Sequence, residues 1–169
     1  MATKTVIDYR RTDQRTNVLH NPFWLTSGLL VGSACEDKYA VCFSFPIAGE
    51  LVYIEQIIFE VVVAFTAGTT IDVGLTTLAT NAVTTGGDAT TVDDDEYIAN
   101  AHVTVATPAM YAAVASDWVT AKAAAAYASP YVLTGAATTV PTISVLMANA
   151  GTITAGTGRV HALITKSPM

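Results

Sequence analysis

The chain has 169 residues, 51% of them hydrophobic and 13% charged, with a formal net charge of −6 and a pI near 4.8. That length suits one domain whose core forms without metal or disulfide help, and the acidic balance argues against nucleic acid or an anionic membrane as a partner for the domain as a whole. A charged fraction about half the ~25% of ordinary soluble domains fits an exterior that is partly covered.

Residues 1–22 read as an extended arm, polar and without sustained periodicity, closed by Asn21-Pro22. In residues 1–20, Lys4, Arg10, Arg11 and Arg15 outnumber Asp8 and Asp13, a local charge of +2 that leaves −8 for the rest of the chain. Arg10, Arg11 and Arg15 are the arm's candidate partner-binding residues, able to pair with an acidic neighbour; a solvated terminus is the competing reading. The opening residues lack the apolar centre of a secretory signal, so the chain is expected to stay where it is made.

Residues 23–169 are expected to form one antiparallel β-sandwich domain, jelly-roll-like and of about eight strands. Phe23 to Val31 is a short apolar stretch suited to a first strand. From Tyr39 the alternation puts Tyr39, Val41, Phe43 and Phe45 on one face and Ala40, Cys42 and Ser44 on the other. Cys35 and Cys42, the only cysteines, would lie about 23 Å apart on a continuous strand, which favours free buried thiols; a tight turn at Glu36-Asp37-Lys38 is the alternative.

Leu51 to Gly74 is the most apolar segment. The odd positions Leu51, Tyr53, Glu55, Ile57, Phe59, Val61, Val63 and Phe65, all apolar except Glu55, read as the core face. The even positions Val52, Ile54, Ile58 and Val62 are too apolar for a solvated face, so these four are the candidate subunit-interface residues. Fifteen residues far exceed the usual strand of about 5–6, and a bulge near Gln56 is expected to divide the run. Ala67-Gly68-Thr69-Thr70 is a turn, followed by a strand with Ile71, Val73 and Leu75 on one face.

Residues 76–95, rich in Thr, Gly and Asp, read as a long loop ending in the acidic run Asp93 to Glu96. His102 to Ala106 is strand-like. Across 108–128, Met110, Val114, Trp118 and Ala121 recur at helical spacing, which predicts a short helical insertion; an irregular loop is the alternative. Tyr131–Thr134 and Thr142–Ala148 are strands, the second with Ile143, Val145 and Met147 inward. Asn149 to Gly158 is a turn, after which Val160, Ala162 and Ile164 alternate with Arg159, His161 and Leu163. Residues 123–158 carry no charge, but their prolines and glycines break any window long enough for a membrane helix.

No pattern here implies a reaction. His20, His102 and His161 are far apart, with no zinc-type spacing or nucleophile motif around them. The run Gly151 to Gly158 lacks the Lys-Ser/Thr of a phosphate loop and lies between strands. Four consecutive acids suit a Ca²⁺ loop poorly, because such loops alternate their ligands. The aromatics, Trp24 and Trp118 among them, allow a carbohydrate-binding module as an alternative. No enzyme activity, cofactor or metal is assigned.

The phrase VVVAFTAGTTIDVG at 61–74 and the closing AGTITAGTGRVHALI at 150–164 resemble small β-sandwich virion proteins of tailed bacteriophages, nearest to the capsid decoration, or cement, type. The resemblance implies a homotrimer on the outer surface of the phage head, assembled in the host cytoplasm and clamping adjacent major capsid proteins. It implies no direct contact with nucleic acid or membrane. A tail, collar or fibre-base component would look alike.

Overall fold

The computed structural model describes residues 22–45, 50–79, 90–99, 103–112, 131–133 and 139–168. Ten strands and one short helix follow in the order β1 (Phe23–Thr26), β2 (Leu30–Val31), α1 (Gly32–Cys35), β3 (Tyr39–Ser44), β4 (Glu50–Val63), β5 (Thr70–Ala79), β6 (Thr90–Ile98), β7 (Ala109–Ala112), β8 (Tyr131–Leu133), β9 (Thr139–Ala148) and β10 (Thr157–Pro168). Sheet A runs β1-β10-β4-β7, with β2 also beside β10 and β8 beside β4; sheet B runs β3-β9-β5-β6.

All the strand pairings are antiparallel. Strands from the two ends of the chain pair with each other: β1 with β10, β3 with β9, β4 with β7 and β5 with β6. That is a long hairpin rolled into two sheets, the strand order of a jelly roll. The all-β antiparallel sandwich expected from the alternation is therefore what the chain forms. Arg10, Arg11 and Arg15, with the rest of the arm through Asn21, lie outside the described residues.

One core fills the space between the sheets. Ile57, Phe59 and Val61 of β4 and Val160, Ala162 and Ile164 of β10 meet Ile71, Val73 and Leu75 of β5 and Ile143, Val145 and Met147 of β9. Each set follows the two-residue period of a strand, which is why the inward face of β9 and β10 is readable directly from the sequence. Burying each large side chain contributes about 1.5–3 kcal/mol.

The long strand β4 does not keep a single parity. Against β10, Ile54 pairs with Ile164 and Gln56 with Leu163, so Glu55 has no partner and a bulge interrupts the ladder. The bulge adds one residue and exchanges the two faces. Before it, Val52 and Ile54 point into the core; after it, Ile57, Phe59 and Val61 do. Val52 and Ile54 are thus core residues, which corrects their reading as subunit-interface positions, while Tyr53 and Glu55 leave the core face. Ile58 and Val62 do lie on the outer side.

Among the described residues, β3 and the middle of β9 and β5 in sheet B are buried on both sides. In β3 a register shift at Cys42 places Val41 opposite Ser144 and Phe43 opposite Ile143. Tyr39, Val41, Phe43 and Phe45 therefore do not share one face: Phe43 and Phe45 belong to the core cluster, as do Ala40 and Cys42, whereas Tyr39 and Val41 are buried outside it. Ser44, Thr142 and Thr76 form a row across β3, β9 and β5 on that outer side, and all three are buried.

Three further expectations are corrected. Residues 76–79 continue β5, and the acidic run Asp93 to Glu96 lies within β6 instead of a loop. The described residues after His102 make a turn, closed by Thr107 N–H donating to the Thr104 carbonyl, and not a strand. Ala109–Ala112 form β7 against β4, so the helical spacing at Met110 does not produce a helix there; residues 113–130 lie outside the described residues. Cys35 and Cys42 form no disulfide, and both are fully buried.

Candidate functional site: the outer face of sheet A

Every large hydrophobic side chain that is exposed among the described residues belongs to sheet A or to its β1–β2 connection. They are Trp24, Leu29, Val31, Val62, Val63 and Met110, with Met110 64% exposed, Val63 52% and Trp24 50%. The strand register shows how they gather. Trp24 of β1 lies opposite Leu163, Arg159 opposite Glu60, Glu60 opposite Met110, and Thr157 opposite both Val31 and Val63. Val62 follows the core residue Val61 and faces outward; the register shift there leaves it unpaired against β10, so Val63, which alternation alone places in the core, is exposed as well.

A polar chain crosses the middle of this face. His161 Nε2 lies 3.0 Å from Glu60 Oε2, and His161 Nδ1 lies 3.0 Å from Thr26 Oγ1. A carboxylate only accepts, so Nε2 carries a hydrogen; in the neutral ring Nδ1 then accepts from the Thr26 hydroxyl. Thr26 is His161's direct neighbour on β1, whereas Glu60 is reached diagonally, since His161 pairs with Ile58. His161 and Glu60 keep only 18% and 26% side-chain exposure.

Hydroxyl, imidazole and carboxylate in line have the outline of an acyl-transfer triad. β10, which carries the imidazole, is paired on one side with β1 and on the other with β4, so the three groups lie along the outer face of one sheet. What the chain does is fix the orientation of an imidazole and a carboxylate on an otherwise apolar sheet face.

The glycine-rich segment 151–158 is occupied by the protein's own oxygens. Gly151 N–H donates to Asn149 Oδ1, Ile153 N–H to Glu36 Oε1, and the Thr154 and Ala155 N–H groups both to Thr66 Oγ1. Those amides would have to be free to cradle a phosphate, and they instead hold the β9–β10 loop to Thr66 of the β4–β5 loop and to Glu36 between α1 and β3. Gly156, at φ 114°, lies against Phe65 where a Cβ would come within 2.3 Å of the ring.

Of the positions picked out from sequence, Ile58 and Val62 belong to this face, Val52 and Ile54 do not, and Trp24 joins it as an exposed aromatic. Trp118, His20 and His102 lie outside the described residues. Sequence reasoning missed the linkage of His161 to Thr26 and Glu60, which lie 135 and 101 positions before it. The usable signal was parity: His161 alternates with the core residues Val160 and Ala162. Among the described residues no group of three or more His, Cys, Asp or Glu could hold a metal, and no helix is long and apolar enough to cross a membrane. No protein-family model, curated protein or solved structure matches this chain.

Proposed function

We propose that this chain is a structural virion protein of a tailed bacteriophage, binding the outer surface of the head as an oligomer and bracing adjacent major capsid proteins. The observation that carries the reading is the asymmetry between the two sheets. Among the described residues, β3 and the middle of β9 and β5 in sheet B are buried on both sides, whereas sheet A turns to solvent a face that gathers the exposed apolar side chains around a hydrogen-bonded polar centre. Contiguous apolar surface of this kind marks an interaction site, with Trp, Met and Arg the residue types enriched in interface cores. The jelly roll is also a frequent architecture of viral shells, a fold-level analogy that adds weight without assigning the role.

In the mechanism, several modest contacts act together. An oligomer that touches the shell at symmetry-related points gains from effective concentration, so the assembly is tight although each contact is weak. The basic arm with Arg10, Arg11 and Arg15 is the proposed second attachment, reaching a neighbouring subunit or the capsid. The major capsid protein and further copies of this chain are the proposed partners, at the outer surface of the virion. Gold-labelled antibody on purified particles tests the assignment: many copies over the head are expected, and a signal confined to the tail, or none, overturns it.

The exposed Trp24 favours a second reading, a carbohydrate-binding module, because an accessible indole beside hydroxyl and carboxylate groups suits a sugar ring. A glycan array decides it. Reproducible hits that vanish in Trp24→Ala support the sugar reading, and a blank array rejects it.

A further inference from the structure

Arg159 and Glu60 are register partners on the outer face of sheet A, yet they form no ion pair with each other. The Glu60 carboxylate turns instead to His161, whose far nitrogen is engaged by Thr26. Arg159 is exposed and, among the described residues, has no hydrogen bond or ion pair. The face therefore presents a held acceptor and, one strand away, an unengaged donor.

We infer that this face joins two copies of the chain, the Arg159 of each reaching the partner's Glu60; the inference rests on the reading of the protein as an oligomer. Charge complementarity selects the occupant. A surface carrying one cation beside one anion is complementary to a copy of itself, since reversing the copy sets each charge against its opposite. The chain beyond residue 20 carries −8, so two copies repel least where a cation lies beside an acid. Here Arg159 offsets Glu60. The carboxylate is already oriented by two successive hydrogen bonds, so little of its freedom remains to be lost when the guanidinium arrives. Trp24, Ile58, Leu163 and Met110 surround the pair with apolar surface that excludes water and strengthens it.

Sedimentation equilibrium of the full chain tests this with Arg159→Glu, Glu60→Arg and their equimolar mixture. The wild type is expected to self-associate, and each variant alone to do so at least about ten-fold more weakly, because like charges then face each other. Mixing the variants restores association, since one copy then offers acids at both positions and the other offers bases. Glu60→Gln, which keeps the side-chain shape, weakens association in the same direction and guards against misfolding of the charge reversal. A wild type that stays monomeric at 100 μM, roughly the range of weak interfaces, overturns the inference, as does a mixture no tighter than its components. Loss of particle binding without any change in self-association also overturns it, by assigning the face to a shell protein. Labelling of particles bears on the proposed function alone, so the two readings fail separately.

Discussion

Ile54 and Ile57 are three positions apart in one strand, and both are fully buried in the same core. In a regular strand an odd separation puts two residues on opposite faces. The unpaired Glu55 between them removes the conflict. This single irregularity decides which side chains of β4 the domain uses for itself and which it turns to solvent.

Deleting Glu55 should consequently be tolerated. Without it, Ile54 and Ile57 become two positions apart and the ladder to β10 runs on in register, so the domain is expected to fold with a loss below about 2 kcal/mol. Deleting Glu60, four residues after Gln56 in the regular part of the strand, reverses every side chain on one side of the cut and should abolish cooperative unfolding. Urea titrations of the two deletions check the contrast.

The buried hydroxyls of sheet B make a directed chain. Thr142 donates to the Thr76 carbonyl at 3.0 Å, which leaves its oxygen to accept from the Thr76 hydroxyl at 2.6 Å, while Ser144 lies 2.5 Å from the same Thr76 oxygen. Thr76→Val strands Ser144 and should cost about 1–3 kcal/mol, with Thr76→Ser much milder. The buried Ser44 hydroxyl has no partner, so Ser44→Ala should be neutral or stabilising by up to about 1 kcal/mol. Thermal denaturation of the three variants reads all of this.

Gly156 and Gly68 separate two causes of glycine preference. Gly68, at φ 80°, has only the Asn149 side chain near a built Cβ, at 3.8 Å. Gly68→Ala should therefore cost only the backbone strain, about 1 kcal/mol. Gly156→Ala adds a clash with Phe65, backbone included, and is expected to lose 3 kcal/mol or more, within the range of overpacked cores and strained backbone combined. Guanidinium unfolding midpoints distinguish the two.

Burial pushes the Cys42 thiol well up from its ordinary value of about 9, helped by the neighbouring Cys35 and opposed by a hydrogen bond with Ser27. A raised folded value means that the unfolded chain loses this proton first as pH rises. The stability is intact below about pH 9 and declines above it, by at most about 1.4 kcal/mol per pH unit. Cys42→Ala should flatten that decline between pH 8.5 and 10 when compared with wild type by urea unfolding. Ellman's reagent at pH 8 should find no reactive Cys35 or Cys42 in the native protein and both after denaturation.

The fold was readable where one strand face is core and the other is polar or small. The core sides of β9 and β10 keep strict alternation, and the glycine turns at Gly68, between β4 and β5, and at Gly156, between β9 and β10, punctuate the strands as the composition suggests. β4 defeated the same reasoning because a bulge near Gln56, though expected from length, carries a parity reversal that only its partner's register reveals. Val52 and Ile54 were misassigned for that reason. At Met110 the helical spacing competed with strand pairing, and the edge of β4 won. The polar chain Thr26–His161–Glu60 could not be seen from sequence, because it is assembled by the pairing of β10 with β1 on one side and β4 on the other.

The central claim is that the outer face of sheet A is covered in the working assembly. Hydroxyl-radical footprinting of Met110 and Trp24, in free protein diluted until it is monomeric and on purified particles, tests it most directly, since both side chains are at least half exposed in the isolated chain. Protection of both residues on the particle by several-fold is the predicted result, and equal oxidation in the two states would contradict the account.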